Sequence, residues 1–494
     1  MPKAMRLPDF PLSGLVPIEK PSGPTSMRTI DLIKPLLCES PLFHDPTLTS
    51  AAEKKAEVKR LMKHRGGLKI GQGGTLDPLA DGVLVIGVGK GTKLLSQFLH
   101  CTKSYTTTAL LGSCTTTYDS EGPILSTAPW QHVTREIIEQ ALDRFRGEIM
   151  QVPPIFSALK MDGKPLYEYA RSNTPLPRPI SARRANISLL QLESFTPASV
   201  VPGDGGHTFK PPYEQLSEEE REVYFRMSRL TREAGIVEKE FGADDDTNGK
   251  GKKGKNAEKG EPVVQHIDIP DLPNPSANAA STSADASTAT TSTLVPPTFT
   301  IRMTVSSGTY VRSIVHDLAL SIGSAAHVVT LTRTRQGRFA LNNDPEGLGE
   351  IGTSIPETET ATTTITTKQD TSDDSNDADA EWYVHDPEGP GRFDFGDRKT
   401  GCIPWSVFER AIAERNAARK AAAAAAAAEE ENAEKEKVEK QKEEAIAASE
   451  GVTEQVDEEG QANAVAAAPA PTPAAARWQP KDWEKEFYAR FVPC

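Results

Sequence analysis

At 494 residues, with 37% apolar and 6% aromatic side chains, the chain is too poor in hydrophobic residues to be core-forming throughout. Its formal net charge of −13 is unevenly spread: residues 1–200 and 299–340 are net basic, whereas 201–298 and 341–494 are net acidic. The blocks that look folded therefore suit a polyanionic partner. Five scattered cysteines without a C-x-x-C pair argue against structural zinc or a disulfide framework. No apolar run reaches the ~20 residues of a membrane span, and the N-terminus has no secretory h-region, so a soluble intracellular protein is expected.

Taken in chain order, the first block is GLVPIEKPSGPTSMRTIDLIKPLL. An apolar strand ends at Glu19-Lys20-Pro21, a Ser/Gly/Pro turn follows, and Thr25 or Ser26 is placed to cap a helix through Leu37. Residues 39–66 form a polar, basic insertion of helical character. Val83–Val88 is an almost unbroken apolar run, strand-like, and SYTTTALLGS from Ser104 alternates as a strand does. Thr134 opens an amphipathic helix to Phe145, and Arg184–Phe195 is another strand. Phe299, Ile301, Met303 and Val305 alternate along a half-buried strand, followed by a helix over Ser313–Ile322. Between the strands ending near Phe195 and starting near Phe299 lie about a hundred residues, too many for a loop within a compact domain unless functional or disordered. They read as an insertion at 201–297 into one catalytic domain formed by 12–200 and 298–340. The Ser/Thr/Asp-rich, Ala-rich and Glu/Lys-rich remainder, 341–494, reads as a largely disordered or helical tail. Strands and helices without a βαβ repeat predict an α+β fold with a mixed, mainly antiparallel sheet.

Chemistry concentrates in GQGGTLDPLADGVLVIGVGKGTK, residues 71–93. A P-loop fails because Gly89-Lys90 is followed by Gly91, and an EF-hand fails because Leu79 and Val88 occupy ligand positions. What remains is one carboxylate, Asp77, among glycines and ahead of Pro78. It either caps its own turn or is a positioned nucleophile or base in a cleft, with the glycines admitting a ligand's backbone.

Gly74-Thr75-Leu76-Asp77-Pro78-Leu79-Ala80-x-Gly82 resembles the catalytic loop of the TruB-type pseudouridine synthases, which isomerise a uridine in RNA. The likeness extends, in order, through Lys20-Pro21 with Thr25-Ser26, Lys103-x-Tyr105, the Gln151–Lys160 segment with Gly163 and Tyr167, Gly308-Thr309-Tyr310-Val311-Arg312, and Ala326-His327 to Leu331, Arg333 and Arg335. Together these cover most of 14–195 and 298–340. The resemblance implies the synthase fold, with a central cleft and no cofactor or metal. It assigns Asp77 to initiating glycosidic cleavage, Arg312 to pairing with it, and Tyr105 to stacking on the extruded base and assisting proton transfer. Lys20, Gln72, Gly73, Gly74 and Leu331 are the expected substrate contacts, while His327 is expected to be structural.

Gln72 stands where bacterial members have histidine, and this, with the 39–66 insertion, is similar to the eukaryotic tRNA branch acting on uridine 55 of the T-arm. The RNA-binding PUA domain of many relatives is not evident after 340. Expected partners are the tRNA T-arm and T-arm-like mRNA hairpins, and the protein is expected to be a monomer. The rival is an RNA-folding module without turnover. The run GKGKKGKNAEKG hints at a nuclear address, with mitochondrial or cytoplasmic pools as alternatives. The basic residues Lys63, His64, Arg65, Arg183 and Arg184 are candidates for phosphate contacts.

Overall fold

The computed structural model describes residues 11–172, 174, 176–198, 206–214, 216–225, 295–342, 383–385, 392–394, 401–450 and 480–493. The low-complexity stretch 276–292, the acidic Thr/Ser stretch 358–379 and the run GKGKKGKNAEKG at 249–260 lie outside them. No helix among the described residues is long and apolar enough to cross a membrane.

The expected α+β fold is present. Its centre is a ten-stranded sheet built from β1 (Gly14–Lys20), β2 (Ile70–Gln72), β3 (Asp81–Val88), β4 (Lys103–Leu111), β7 (Gly147–Gln151), β10 (Arg183–Thr196), β11 (Thr298–Val305), β12 (Ala326–Gln336), β13 (Phe339–Ala340) and β16 (Val492–Pro493). The main order is β16-β1-β3-β12-β4-β11-β10-β7, with β2 added to β3 and β13 to β12. All pairings are antiparallel except β3 with β12, which run parallel through Thr332↔Asp81 and Arg333↔Gly82. Small two-stranded units complete the β structure: β5 (Ser113–Thr115) with β6 (Ile124–Thr127), β8 (Lys160–Met161) with β9 (Lys164–Pro165), and β14 (Tyr383–His385) with β15 (Arg392–Asp394).

The helices follow the capping signals. Thr25 accepts from the Arg28 N–H at the start of α1 (Ser26–Glu39), and Ser50 with Glu53 forms a capping box on α2 (Ala51–Leu61) inside the basic insertion. α3 (Ser96–His100) and α5 (Leu166–Arg171) are short, α4 (Arg135–Leu142) is capped by Thr134, and α6 (Val311–Ser321) follows β11. The long α7 (Trp405–Glu450) and α8 (Asp482–Arg490) come from the tail.

The unbroken apolar run in β3 has a direct cause. Leu84, Ile86 and Val88 enter the main core under the helices, while Val83 and Val85 enter a second cluster with Leu15, Leu95, Phe98, Phe339 and Cys402. A strand buried on both faces does not alternate. Part of that cover comes from the tail. Ile403, Val407, Phe408 and Ala411 join the main core, as do Trp483, Phe487, Tyr488 and Phe491, and β16 pairs with β1. Two pieces of 341–494 are therefore folded onto the catalytic sheet. Their apolar residues are too sparse within the polar tail for composition to reveal it.

The insertion after β10 is likewise packed at its start. Leu216, Val223, Tyr224 and Phe225 join Ile155, Phe156, Leu166, Tyr169 and Ala325 in a third cluster. The Glu214 carbonyl accepts from the Ile124 N–H at 2.9 Å.

Candidate active site

Asp77 sits in the turn between β2 and β3, and both ends of that turn are gripped. Residues 20–26 hold its far side: Lys20 Nζ donates to the carbonyls of Ala80 at 2.6 Å, Pro21 at 2.9 Å and Pro78 at 3.2 Å. Ser22 Oγ donates to the Leu79 carbonyl at 2.7 Å, and the Gly23 N–H donates to the Pro78 carbonyl. Ser26 Oγ accepts from the Leu76 N–H at 2.9 Å. From the other side, Arg333 donates to the carbonyls of Val83 at 2.8 Å and Gly74 at 3.2 Å, and Gln336 Nε2 to that of Gly73 at 2.7 Å. Two of the motifs separated in sequence thus clamp a third.

This clamp corrects the expectation for Lys20. Its side chain is 0% exposed and spends its donors on backbone carbonyls. It positions the loop and does not face a substrate. Burial pulls its pKa down to about 8, against the attraction of Asp81 and Asp77. The glycines are also explained by this chain's own packing. A Cβ on Gly73 would stand 2.8 Å from Phe98 Cβ, and one on Gly71 would stand 3.0 Å from Leu95, so the space beside them is filled by this chain. Gly74, at φ +141, is required by its backbone conformation. Gln72 is half-buried on β2, where its Nε2 donates to Thr75 Oγ1 and its Oε1 is buried without a hydrogen bond.

Arg312 meets Asp77 as expected. Arg312 Nε lies 2.8 Å from Asp77 Oδ2, with the arginine side chain 6% and the aspartate side chain 38% exposed. The ion pair is therefore open on the carboxylate side only, and Asp77 Oδ1 makes no hydrogen bond to a described residue. The guanidinium has further partners: Nη1 donates to the Thr117 carbonyl at 2.5 Å and lies 3.5 Å from Asp119 Oδ2, and Nη2 donates to the Phe156 carbonyl at 3.0 Å. The turn that leads into α6 is held by Gln151, which accepts from the Tyr310 N–H and donates to its carbonyl.

Asp119 is the residue that sequence reasoning missed. It is 3% exposed, and its Oδ1 accepts from the Thr117 hydroxyl at 2.5 Å and the Glu121 N–H at 3.0 Å. Burial pushes its carboxyl above the usual range, an effect opposed by Arg312 and these donors. Burial also raises Glu121, helped by the neighbouring charges of Asp119 and Asp77. Tyr118 beside it has φ +62 and stacks on buried His316 at 3.9 Å between centroids. A non-glycine residue held there is strained, as residues at functional sites often are. The available signal was the loop TTTYDSEG: two acids, Asp119 and Glu121, among hydroxyl side chains, just past a strand.

Tyr105 is 8% exposed on β4, opposite Arg333 of β12, and its hydroxyl makes no hydrogen bond to a described residue. Leu331, 6% exposed, faces Thr107 across the same strand pair. Both belong to the core cluster that takes Leu76 and Ala80 from either side of Asp77. They belong to the core that backs the loop. His327 is fully buried with Nδ1 2.9 Å from the Ser113 carbonyl, and burial lowers its pKa. Its place is structural.

Comparison with known proteins shows what the chain is similar to. Residues 59–201 match the family described as TruB family pseudouridylate synthase (N terminal domain). The tRNA pseudouridine synthase 4 of Schizosaccharomyces pombe is 38% identical over 350 residues, covering 67% of this chain and 80% of that protein. Its namesake in Saccharomyces cerevisiae is 33% identical over 343 residues, covering 67% and 79%. Among solved structures, one titled Crystal Structure of a Cbf5-Nop10-Gar1 Complex aligns over 69% of this chain and 57% of that one, at 18% identity and a TM-score of 0.31. With four-fifths of the fission-yeast relative matched at 38% identity, the chain belongs to the TruB family of pseudouridylate synthases.

Proposed function

We propose that the chain is a tRNA pseudouridine synthase that isomerises uridine 55 of the T-arm, with Asp77 as the initiating group, Arg312 as its fixed counter-charge and Tyr105 as the aromatic face beneath the base. The observation that carries this reading is the 2.8 Å Arg312–Asp77 pair, closed on the arginine side and open on the carboxylate side. A guanidinium fixed by two backbone carbonyls holds one carboxylate oxygen and fixes its direction. The other oxygen is left to meet the sugar as nucleophile or proton acceptor. The target must leave its stack to reach that oxygen, at a cost of a few kcal/mol. Basic residues at the root of the loop, Lys63, His64, Arg65 and Lys69, are exposed and suit the phosphates that would hold the RNA there. The relatives' names point to tRNA. T-arm-like hairpins in mRNA would satisfy the same shape recognition. We further propose that the protein acts as a monomer in the nucleus.

The test is single-turnover pseudouridine formation on unmodified tRNA, with RNA affinity measured in parallel. Asp77→Asn is expected to bind within about twofold of wild type and to form no product, since it removes the reacting group and keeps its shape. If wild type binds tRNA tightly yet modifies neither tRNA nor T-arm hairpins, the RNA-folding module replaces the enzyme. Product mapped to a position other than 55 would remove the site assignment and leave the chemistry.

A further inference from the structure

Arg312 is held by two backbone carbonyls, and neither belongs to the main sheet. One is that of Thr117, in the loop after β5; the other is that of Phe156, in the irregular stretch between β7 and β8. Backbone outside a ladder needs another source of rigidity, because side-chain geometry at a reacting centre is only as fixed as its support.

That source is the start of the insertion. A helical segment at 218–225 is capped by Ser217, which accepts from the Glu220 N–H while Glu220 accepts in return. The segment places Tyr224, 8% exposed, against both supports. Its ring lies parallel to that of Phe156, with centroids 6.2 Å apart and planes at 10°. Its hydroxyl sits beside the Thr116 side chain without a full hydrogen bond, and burial drives the phenol strongly upward. Thr116 precedes the residue whose carbonyl takes Arg312 Nη1, and Phe156 itself supplies the carbonyl for Nη2. One aromatic side chain therefore stands against both supports, stacking its ring on Phe156 and setting its hydroxyl beside Thr116.

We infer that Tyr224 is a positioning residue for the reaction: the insertion after β10 contributes a strut that sets Arg312, and through it Asp77, in register. The inference rests on Arg312 being the group that orients Asp77. The strut acts through its ring, since the hydroxyl makes no full hydrogen bond to lose. Removing the ring frees the Phe156 face and lets the carbonyl that takes Arg312 Nη2 shift. Displacements of ~1 Å away from the chemistry can cost ~10²-fold in rate. RNA-binding groups elsewhere are untouched, so affinity stays.

The experiment uses the full chain and unmodified tRNA, measuring the single-turnover rate constant and the RNA Kd for Tyr224→Ala, Tyr224→Leu and Tyr224→Phe, with thermal unfolding of each. Tyr224→Ala is expected to lose about 10–100-fold in rate with Kd within about twofold. Tyr224→Leu is expected to fall between Tyr224→Ala and wild type, and Tyr224→Phe to keep the wild-type rate. A wild-type rate in Tyr224→Ala overturns the inference, as does a Tyr224→Phe variant as slow as Tyr224→Ala. If Tyr224→Ala does not fold, the Leu and Phe variants decide: equal rates overturn the strut, and a Leu variant slower than Phe supports it. Arg312→Lys is the control. Full turnover there would remove the premise about Arg312, whereas its loss alongside a wild-type Tyr224→Ala rate removes the strut alone.

Discussion

Asp77 and Asp119 share one guanidinium, and they do so from unlike environments. Asp77 is partly open to solvent, whereas Asp119 is sealed and is held by Thr117, Glu121 and Arg312. The division suits one carboxylate that reacts and one that balances the arginine. Asp119→Asn keeps a carbonyl oxygen for the Thr117 and Glu121 donors but removes the charge. It is expected to slow single-turnover conversion about tenfold or more, ~1.4 kcal/mol of transition-state stabilisation, with RNA affinity unchanged. An unchanged rate would show that Asp77 alone balances Arg312. The pH dependence has a defined sign. Folded Asp119 holds its proton more tightly than the ordinary aspartate value of 3.8 would allow, chiefly through burial. As pH falls through that raised value, its contribution to stability improves, while the charge that Arg312 needs is lost. Activity should therefore fall on the acid side over a window above 3.8 in which the melting temperature does not drop on this group's account, and Asp119→Asn should abolish that acid limb. Asp77 and Arg312 were legible because each sits in a distinctive short motif. Asp119 was not, because its role depends on a loop returning to the arginine from 193 positions away. Lys20 was legible as a residue of interest. Its burial was not, since a lysine between Glu and Pro reads as solvated until the loop it clamps is in place.

Elements were read well where periodicity was complete. The strands at β4, β10 and β11 and the Thr25 and Thr134 caps fall where alternation and capping residues put them. Sheet order was not readable, because β12 inserts between β3 and β4, pairings separated by more than two hundred residues. The tail's docking was hidden for a related reason: α8 and β16 are short and lie beyond a long polar stretch. Their contribution is nonetheless concrete. Trp483, Phe487, Tyr488 and Phe491 are nearly inaccessible, and the Phe487 ring meets Phe43 edge-on at 5.5 Å. A Cβ on Gly14 would lie 2.2 Å from the Val492 carbonyl oxygen, so the strand contact needs glycine at that place. A chain ending after residue 479 forfeits these four aromatics, each worth about 1.5–3 kcal/mol when fully buried, an upper bound because the unfolded chain is partly collapsed. It also bares the β1 edge to other chains. Denaturant unfolding is expected to show a lower midpoint for this truncation, with a smaller fall for Gly14→Ala. Identical midpoints for the truncated and full chains would mean that the tail's docking contributes nothing to the fold.

For the whole molecule the question is how a chain with net charge −13 engages a polyanion. The acid is concentrated in 201–298 and 341–494, much of it outside the described residues, whereas cations gather at the root of the Asp77 loop. Lys63, His64 and Arg65 occupy the turn after α2, and Lys69 immediately precedes β2. The Lys69 carbonyl accepts from the Gly89 N–H, which brings this turn against the segment carrying exposed Lys90 and Lys93. α2 buries little beyond Leu61, so packing alone does not account for so basic an insertion. The proposed phosphate contacts would, and they predict a particular signature. Each phosphate contact adds ~0.7–0.9 to the slope of log affinity against log salt concentration. Replacing Lys63, Arg65 and Lys69 together by glutamine should therefore flatten that slope by about two to three units if all three meet phosphate, with weaker binding at low salt. Because none of the three touches Asp77 or Arg312, the single-turnover rate at saturating tRNA should stay at its wild-type value. A loss of rate without a change in slope would place the insertion in the service of the loop's geometry. An unchanged slope with an unchanged rate would make these cations a solvated face and move the RNA's path elsewhere, to Arg183 and Arg184 first.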